Sequence, residues 1–130
     1  MNFSLDHVSL QVKDIEPAVE FYTALFGLFE VPPKVIRPGV RWFQLADGLT
    51  IHLIPGATED NIKSFGDHFA LATSDFESFL MRLKELAVPY GTSAGMNNSY
   101  QTRPDGVRQV YFRDPDNNLV EVNEDRRTQI

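Results

Sequence analysis

The stretch SLDHVSLQVKDIE, residues 4–16, returns 61 positions later as FGDHFALATSDFE, residues 65–77. Asp6 falls on Asp67, His7 on His68, Leu10 on Leu71, Asp14 on Asp75 and Glu16 on Glu77. A second register, offset by 69 positions, sets Trp42 on Tyr111, Phe43 on Phe112, Asp47 on Asp116, Ile51 on Val120 and Leu53 on Val122. A chain that repeats itself at this period is built from two copies of one supersecondary unit.

Each copy reads in the same order. Residues 5–12 alternate, with Val8, Leu10 and Val12 on one face of a strand and His7, Ser9 and Gln11 on the other. Asp14 is a candidate N-cap, Ala18, Tyr22, Leu25 and Phe26 recur at helical spacing, and Gly27 supplies a stop. VRWFQLADGLTIHLIPG is a hairpin hinged at Asp47-Gly48. In the second copy DHFALAT is a strand, Asp75 caps a helix with the stripe Phe76, Phe79, Leu80, Leu83 and Leu86, and Pro89 closes it. A loop follows over 91–106, then a hairpin, RQVYFRDPDNNLVEVNE, turning at Asp114-Pro115-Asp116-Asn117. The expected architecture is α+β, with two β-α-β-β-β modules over 1–56 and 65–124, a linker over 57–64 and a polar tail over 125–130.

Composition narrows the function. At 130 residues the chain suits one domain with a sizeable core. It contains no cysteine, so any metal must be held by nitrogen and oxygen ligands. A net charge of −6 argues against a nucleic-acid backbone as partner. No apolar run is long enough to span a membrane. MNFSLDH shows no basic and then apolar leader, so the expected location is cytoplasmic.

The repeat also pairs chemistry. His7 equates with His68 at the first offset and His52 with Glu121 at the second, which uses every histidine in the chain. Each of the four sits on the strand face opposite the oily residues, where core packing does not explain it. If the modules pair about a pseudo-twofold axis, three imidazoles and one carboxylate converge in a cup suited to Zn, Ni, Co, Mn or Fe. Ser9, Gln11, Trp42, Gln44, Thr50, Tyr111, Arg113 and Asn123 share the ligands' alternation phase. Trp42 and Tyr111 are candidates to stack on an organic substrate, Arg113 to hold a carboxylate, and Ser9 and Gln11 to contact polar groups.

DHVSL, AVEFYTALFGL, IHLI, DHFAL and VYFRDPDNNLVEV together resemble the vicinal oxygen chelate superfamily of glyoxalases, bleomycin-resistance proteins and extradiol dioxygenases. The resemblance implies a paired-module metal cup, with His7, His68 and Glu121 as ligands and His52 in the remaining ligand position. Glyoxalase I enzymes usually place Glu or Gln there. It further implies a homodimer, a small-molecule substrate, and a glyoxalase-like lyase or isomerase in which Glu121 is the base for an enediolate, with a thiol such as glutathione as possible co-substrate. Three alternatives accompany it. The first is a ring-cleaving dioxygenase using His7, His68 and Glu121. The second is a resistance-type thiol transferase, although the lysine and serine of fosfomycin-resistance enzymes have no clear match in YQTRPDG. The third is a ligand-sequestering binding protein.

Overall fold

The computed structural model describes residues 1–61 and 66–125. The last part of the expected linker, Phe65 and most of the polar tail lie outside the described residues. The chain divides into two compact units, Met1–Asn61 and Ile62–Ile130.

In the first unit β1 (His7–Gln11), α1 (Ile15–Phe26), β2 (Phe29–Val31), β3 (Arg41–Gln44) and β4 (Thr50–Ile54) follow the expected order. The sheet runs β1-β4-β3-β2. β1 lies parallel to β4, with Ser9 beside His52, while the β3–β4 hairpin sets Trp42 on the other side of His52. Because alternate side chains face opposite ways, Leu10, Val12, Phe43, Ile51 and Leu53 form one apolar face, buried together with Ala18, Tyr22 and Leu25 of α1. Full burial of side chains of this size contributes about 1.5–3 kcal/mol each. The opposite face carries His7, Ser9, Gln11, Trp42, Gln44, Thr50 and His52.

The second unit comprises β5 (His68–Ala72), α2 (Phe76–Glu85), β6 (Tyr90–Gly91), β7 (Gln101–Thr102), β8 (Arg108–Arg113) and β9 (Leu119–Asn123). Its sheet runs β5-β9-β8-β6, and β7 also pairs with β8. β5 lies parallel to β9, just as β1 lies parallel to β4. Val110, Phe112, Val120 and Val122 are buried with Phe76, Phe79, Leu80 and Leu83 of α2. Leu86, the fifth residue of the expected stripe, is 44% exposed beyond the helix end.

Three local expectations are corrected. The segment 91–106 is not a plain loop: Gly91 belongs to β6 and Gln101–Thr102 form β7, both paired with β8, so the second strand of the module is split in two. α2 ends at Glu85, ahead of Pro89, and Ala87 follows it in the left-handed region at φ 54°. Asp14 occupies the N-cap position of α1 but its side chain makes no cap hydrogen bond. The reason is Pro17 at the third helical position, where a cap carboxylate would look for an N–H that proline lacks. In the second copy that position is Ser78, whose N–H donates to Asp75 Oδ1 at 3.1 Å.

The hairpin turns behave as their residues demand. Gly48 takes φ 89° and Asn117 φ 66°, the latter a conformation that asparagine tolerates better than most residues. Asp114 Oδ1 accepts from the N–H groups of Asp116 and Asn118 at 2.9 and 2.8 Å. Among the described residues no helix is long and apolar enough to cross a membrane.

Candidate functional site

Glu121 sits at the centre of β9, 5% exposed. The strand register sets Ala70 on one side of it and Tyr111 on the other. Three donors and one imidazole nitrogen converge on its carboxylate. His68 Nε2 lies 3.1 Å from Oε1, and the Tyr111 hydroxyl donates to the same oxygen at 3.0 Å. Gln109 Nε2 and Asn123 Nδ2 donate to Oε2 at 3.0 and 2.7 Å. A carboxylate offers about four lone-pair sites, so this one is fully engaged. Burial pushes its pKa up, but the bonds from Asn123, Gln109, Tyr111 and His68 outweigh burial and hold it below the usual range. Burial, reinforced by the bond to Glu121, pushes the Tyr111 hydroxyl up to about 12.

The first unit gathers its two histidines differently. His52 is sandwiched between His7, with ring centroids 4.3 Å apart and planes 6° apart, and Trp42, at 3.9 Å and 7°. His52 Nε2 pairs with Thr50 Oγ1 at 2.8 Å, and His7 Nδ1 with Asp6 Oδ2 at 2.8 Å, which orients each ring. Burial first, and then the neighbouring His7 charge, lower the pKa of His52, so it is a neutral imidazole at pH 7. A metal binds an imidazole in the ring plane at roughly 2.0–2.1 Å from nitrogen. Two parallel rings stacked face to face direct their lone pairs along separate planes and do not converge on one ion.

The four ligand candidates thus come together as two pairs, His68 with Glu121 and His7 with His52. Among the described residues no group of three or more His, Asp or Glu side chains is gathered as a metal centre. Of the substrate candidates, Ser9 and Gln11 are exposed on the His7 face and Trp42 is half-buried beside His52. Tyr111, expected to stack on a substrate, is 3% exposed and gives its hydroxyl to Glu121. Arg113 Nη1 donates to the Asn117 carbonyl at 2.9 Å, bracing the last hairpin turn.

Two glutamines belong to this site beyond those candidates. Gln109 has the alternation phase of Tyr111, two residues on, so the period-2 pattern could have found it. Gln101 lies in what reads as polar loop and gives no comparable signal; it reaches Gln109 only because β7 pairs with β8.

A family profile described as Glyoxalase/Bleomycin resistance protein/Dioxygenase superfamily matches residues 4–122. The metallothiol transferase FosB of Shouchella clausii is 27% identical over 121 residues, covering 91% of this chain and 77% of that protein. The crystal structure of the fosfomycin resistance protein FosX from Listeria monocytogenes, complexed with Mn(II) and sulfate ion, matches with a TM-score of 0.75 and 24% identity, covering 97% of this chain and 93% of that one. The lactoylglutathione lyase of Agrobacterium tumefaciens matches with a TM-score of 0.71 and 23% identity, covering 95% of each chain.

Proposed function

Because the chain belongs to the glyoxalase/bleomycin resistance protein/dioxygenase superfamily, we propose that it is a metal-dependent enzyme acting on a small substrate with neighbouring oxygens, and that Glu121 serves as a fixed ligand and not as the base. The observation that carries this reading is an ionised carboxylate held by three side-chain donors, Tyr111, Gln109 and Asn123, with the His68 imidazole beside its Oε1. A general base needs a pKa near the working pH, whereas the bonds to Glu121 hold its pKa below the usual range. A ligand needs to be ionised, held in place and turned to the ion by a lone pair, and the Oε1 lone pair that now faces His68 Nε2 is the one an ion would take.

The residues fit a divalent cation. His68 and Glu121 are adjacent nitrogen and oxygen donors, one neutral when unprotonated and one anionic, in a chain without thiolates. They are the proposed ligands in the second unit; in the first unit His7, oriented through Nδ1 by Asp6, would use Nε2 toward an ion. When bound, such an ion would supply Lewis-acid polarisation of the substrate oxygens. The chain's own residues do the rest. Tyr111, Gln109 and Asn123 keep the carboxylate from rotating, and the half-buried Trp42 is the proposed aromatic contact for the organic part of a substrate.

This division of labour suits addition of a nucleophile, such as a thiol, to an activated substrate, the activity in the name of the FosB relative. It suits less well the glyoxalase-type lyase reaction with Glu121 as base. A homodimer belongs to the same proposal. The test loads purified protein with Mn(II) and measures thiol consumption with fosfomycin against isomerisation of the methylglyoxal–glutathione hemithioacetal, in wild type and Glu121→Gln. We expect thiol addition, with activity per bound metal little changed in the variant. Hemithioacetal turnover that falls ~10² to 10⁴-fold per bound metal in Glu121→Gln would restore the base role and overturn ours.

A further inference from the structure

We infer that Gln101 is a positioning residue for the Glu121 carboxylate, acting at a distance through Gln109. The Ser93 backbone N–H donates to Gln101 Oε1 at 2.6 Å. Gln101 Nε2 donates to Gln109 Oε1 at 3.1 Å, and Gln109 Nε2 donates to Glu121 Oε2 at 3.0 Å. The direction of this chain is not free. One end is a backbone N–H, which only donates, and the other is an ionised carboxylate, which only accepts. Each side-chain amide between them has one orientation that satisfies both neighbours. If Gln101 ceases to donate, the amide of Gln109 has no reason to keep its oxygen turned away from Glu121. A flipped amide would set oxygen against oxygen where a 3.0 Å hydrogen bond now stands.

The anchored end is rigid. Ser93 lies in the turn that Thr92 and Gly95 close by reciprocal backbone bonds of 3.0 and 3.1 Å. Gly91 packs so tightly below that turn that a Cβ there would lie 1.9 Å from the Gly95 carbonyl oxygen. The orientation of a side chain on β9 is thereby referred to a turn on the far side of β8.

This inference rests on the ligand role proposed for Glu121, and the test separates the two. Partners of a metal ligand typically change metal affinity by ~10–100-fold. Mn(II) is titrated into wild type, Gln101→Glu and Gln101→Lys, with the unfolding temperature of each metal-free protein measured alongside. Coulomb attraction alone makes the added carboxylate tighten binding of a cation and the added ammonium weaken it. The relay reverses that order: Gln101→Glu, which cannot donate to Gln109, binds Mn(II) about 10-fold more weakly, while Gln101→Lys, which can, stays within about 3-fold of wild type. The Coulomb order, or equal losses in both variants, overturns the inference. The second arm needs no metal. In metal-free protein the Gln109 side-chain amide signals in ¹⁵N-correlated NMR move in Gln101→Glu and hold in Gln101→Lys. Wild-type protein that takes up no Mn(II) sinks the metal reading, and the relay then stands or falls on those amide signals alone.

Discussion

His52 lies flat against Trp42, its ring centroid 3.9 Å away and the two planes 7° apart, so the imidazole has an indole over one face and His7 over the other. Stacked aromatic pairs contribute about 0.5–1.5 kcal/mol beyond the area they bury. Replacing Trp42 with leucine should lower stability by about 1–2 kcal/mol and let water reach His52. Its pKa, lowered chiefly by burial, should then move back toward 6.5. An NMR titration of the His52 ring protons checks this, and an unmoved midpoint would mean that Trp42 is not what shields it.

The same burial makes stability depend on pH in a definite direction. A histidine whose folded pKa is depressed binds fewer protons folded than unfolded, so its contribution is present above the unfolded value of 6.5 and is lost as pH falls through the folded one. Glu121 adds a second loss at lower pH: its folded pKa is depressed below 4.5, so its contribution is present above 4.5 and disappears on further acidification. Denaturant melts from pH 7 to 3 should show both steps. His52→Phe should remove the upper one, and Glu121→Gln the lower one while losing about 1–3 kcal/mol at neutral pH through mispaired donors.

The two helix starts offer a matched comparison. Asp75 accepts from Ser78 N–H at 3.1 Å, whereas Asp14 makes no cap bond. Asp75→Ala should cost about 1 kcal/mol, and Asp14→Ala should stay within about 0.5 kcal/mol of wild type. Equal losses by chemical denaturation would mean that Asp14 caps in solution after all.

Gly91→Ala should be among the most damaging small substitutions. The added carbon would approach Gly95 O to 1.9 Å and Asn97 N and Met96 Cα to 2.7 Å, all of them backbone atoms that cannot swing aside. A loss above about 3 kcal/mol, or failure to accumulate folded protein, is expected. A near-native unfolding temperature would show that the 92–97 turn relocates readily.

Much of this was legible in the sequence because it depends on period and offset. Alternation alone assigned Leu10, Ile51, Val120 and Val122 to the buried faces and His7, His52 and Glu121 to the others, and the strand registers agree. Asp47-Gly48 and the Asp114 turn were legible because their chemistry is local. What escaped depends on how neighbouring strands meet. A single proline three places on cancels the cap that Asp14 suggests. The hydroxyl of Tyr111 serves Glu121 because the two face each other across β8 and β9, and the ring of His52 is flanked by partners from two other strands. Gln101 was invisible because a two-residue strand inside a polar segment carries no periodicity.

The parallel pairing that closes each unit has a consequence for how the chain comes to be finished. β5, which carries His68, stands at the edge of its sheet with β9 as its neighbour, and β9 is the last strand among the described residues. As the chain leaves the ribosome, His68 emerges some fifty residues ahead of the strand that will hold it. Until that strand arrives, β5 has no hydrogen-bond ladder to join, and closing so long a loop is the slow, entropically costly step of such folds. A chain that stops short of Leu119 therefore loses more than one carboxylate: it leaves His68 on a strand with nothing to dock against.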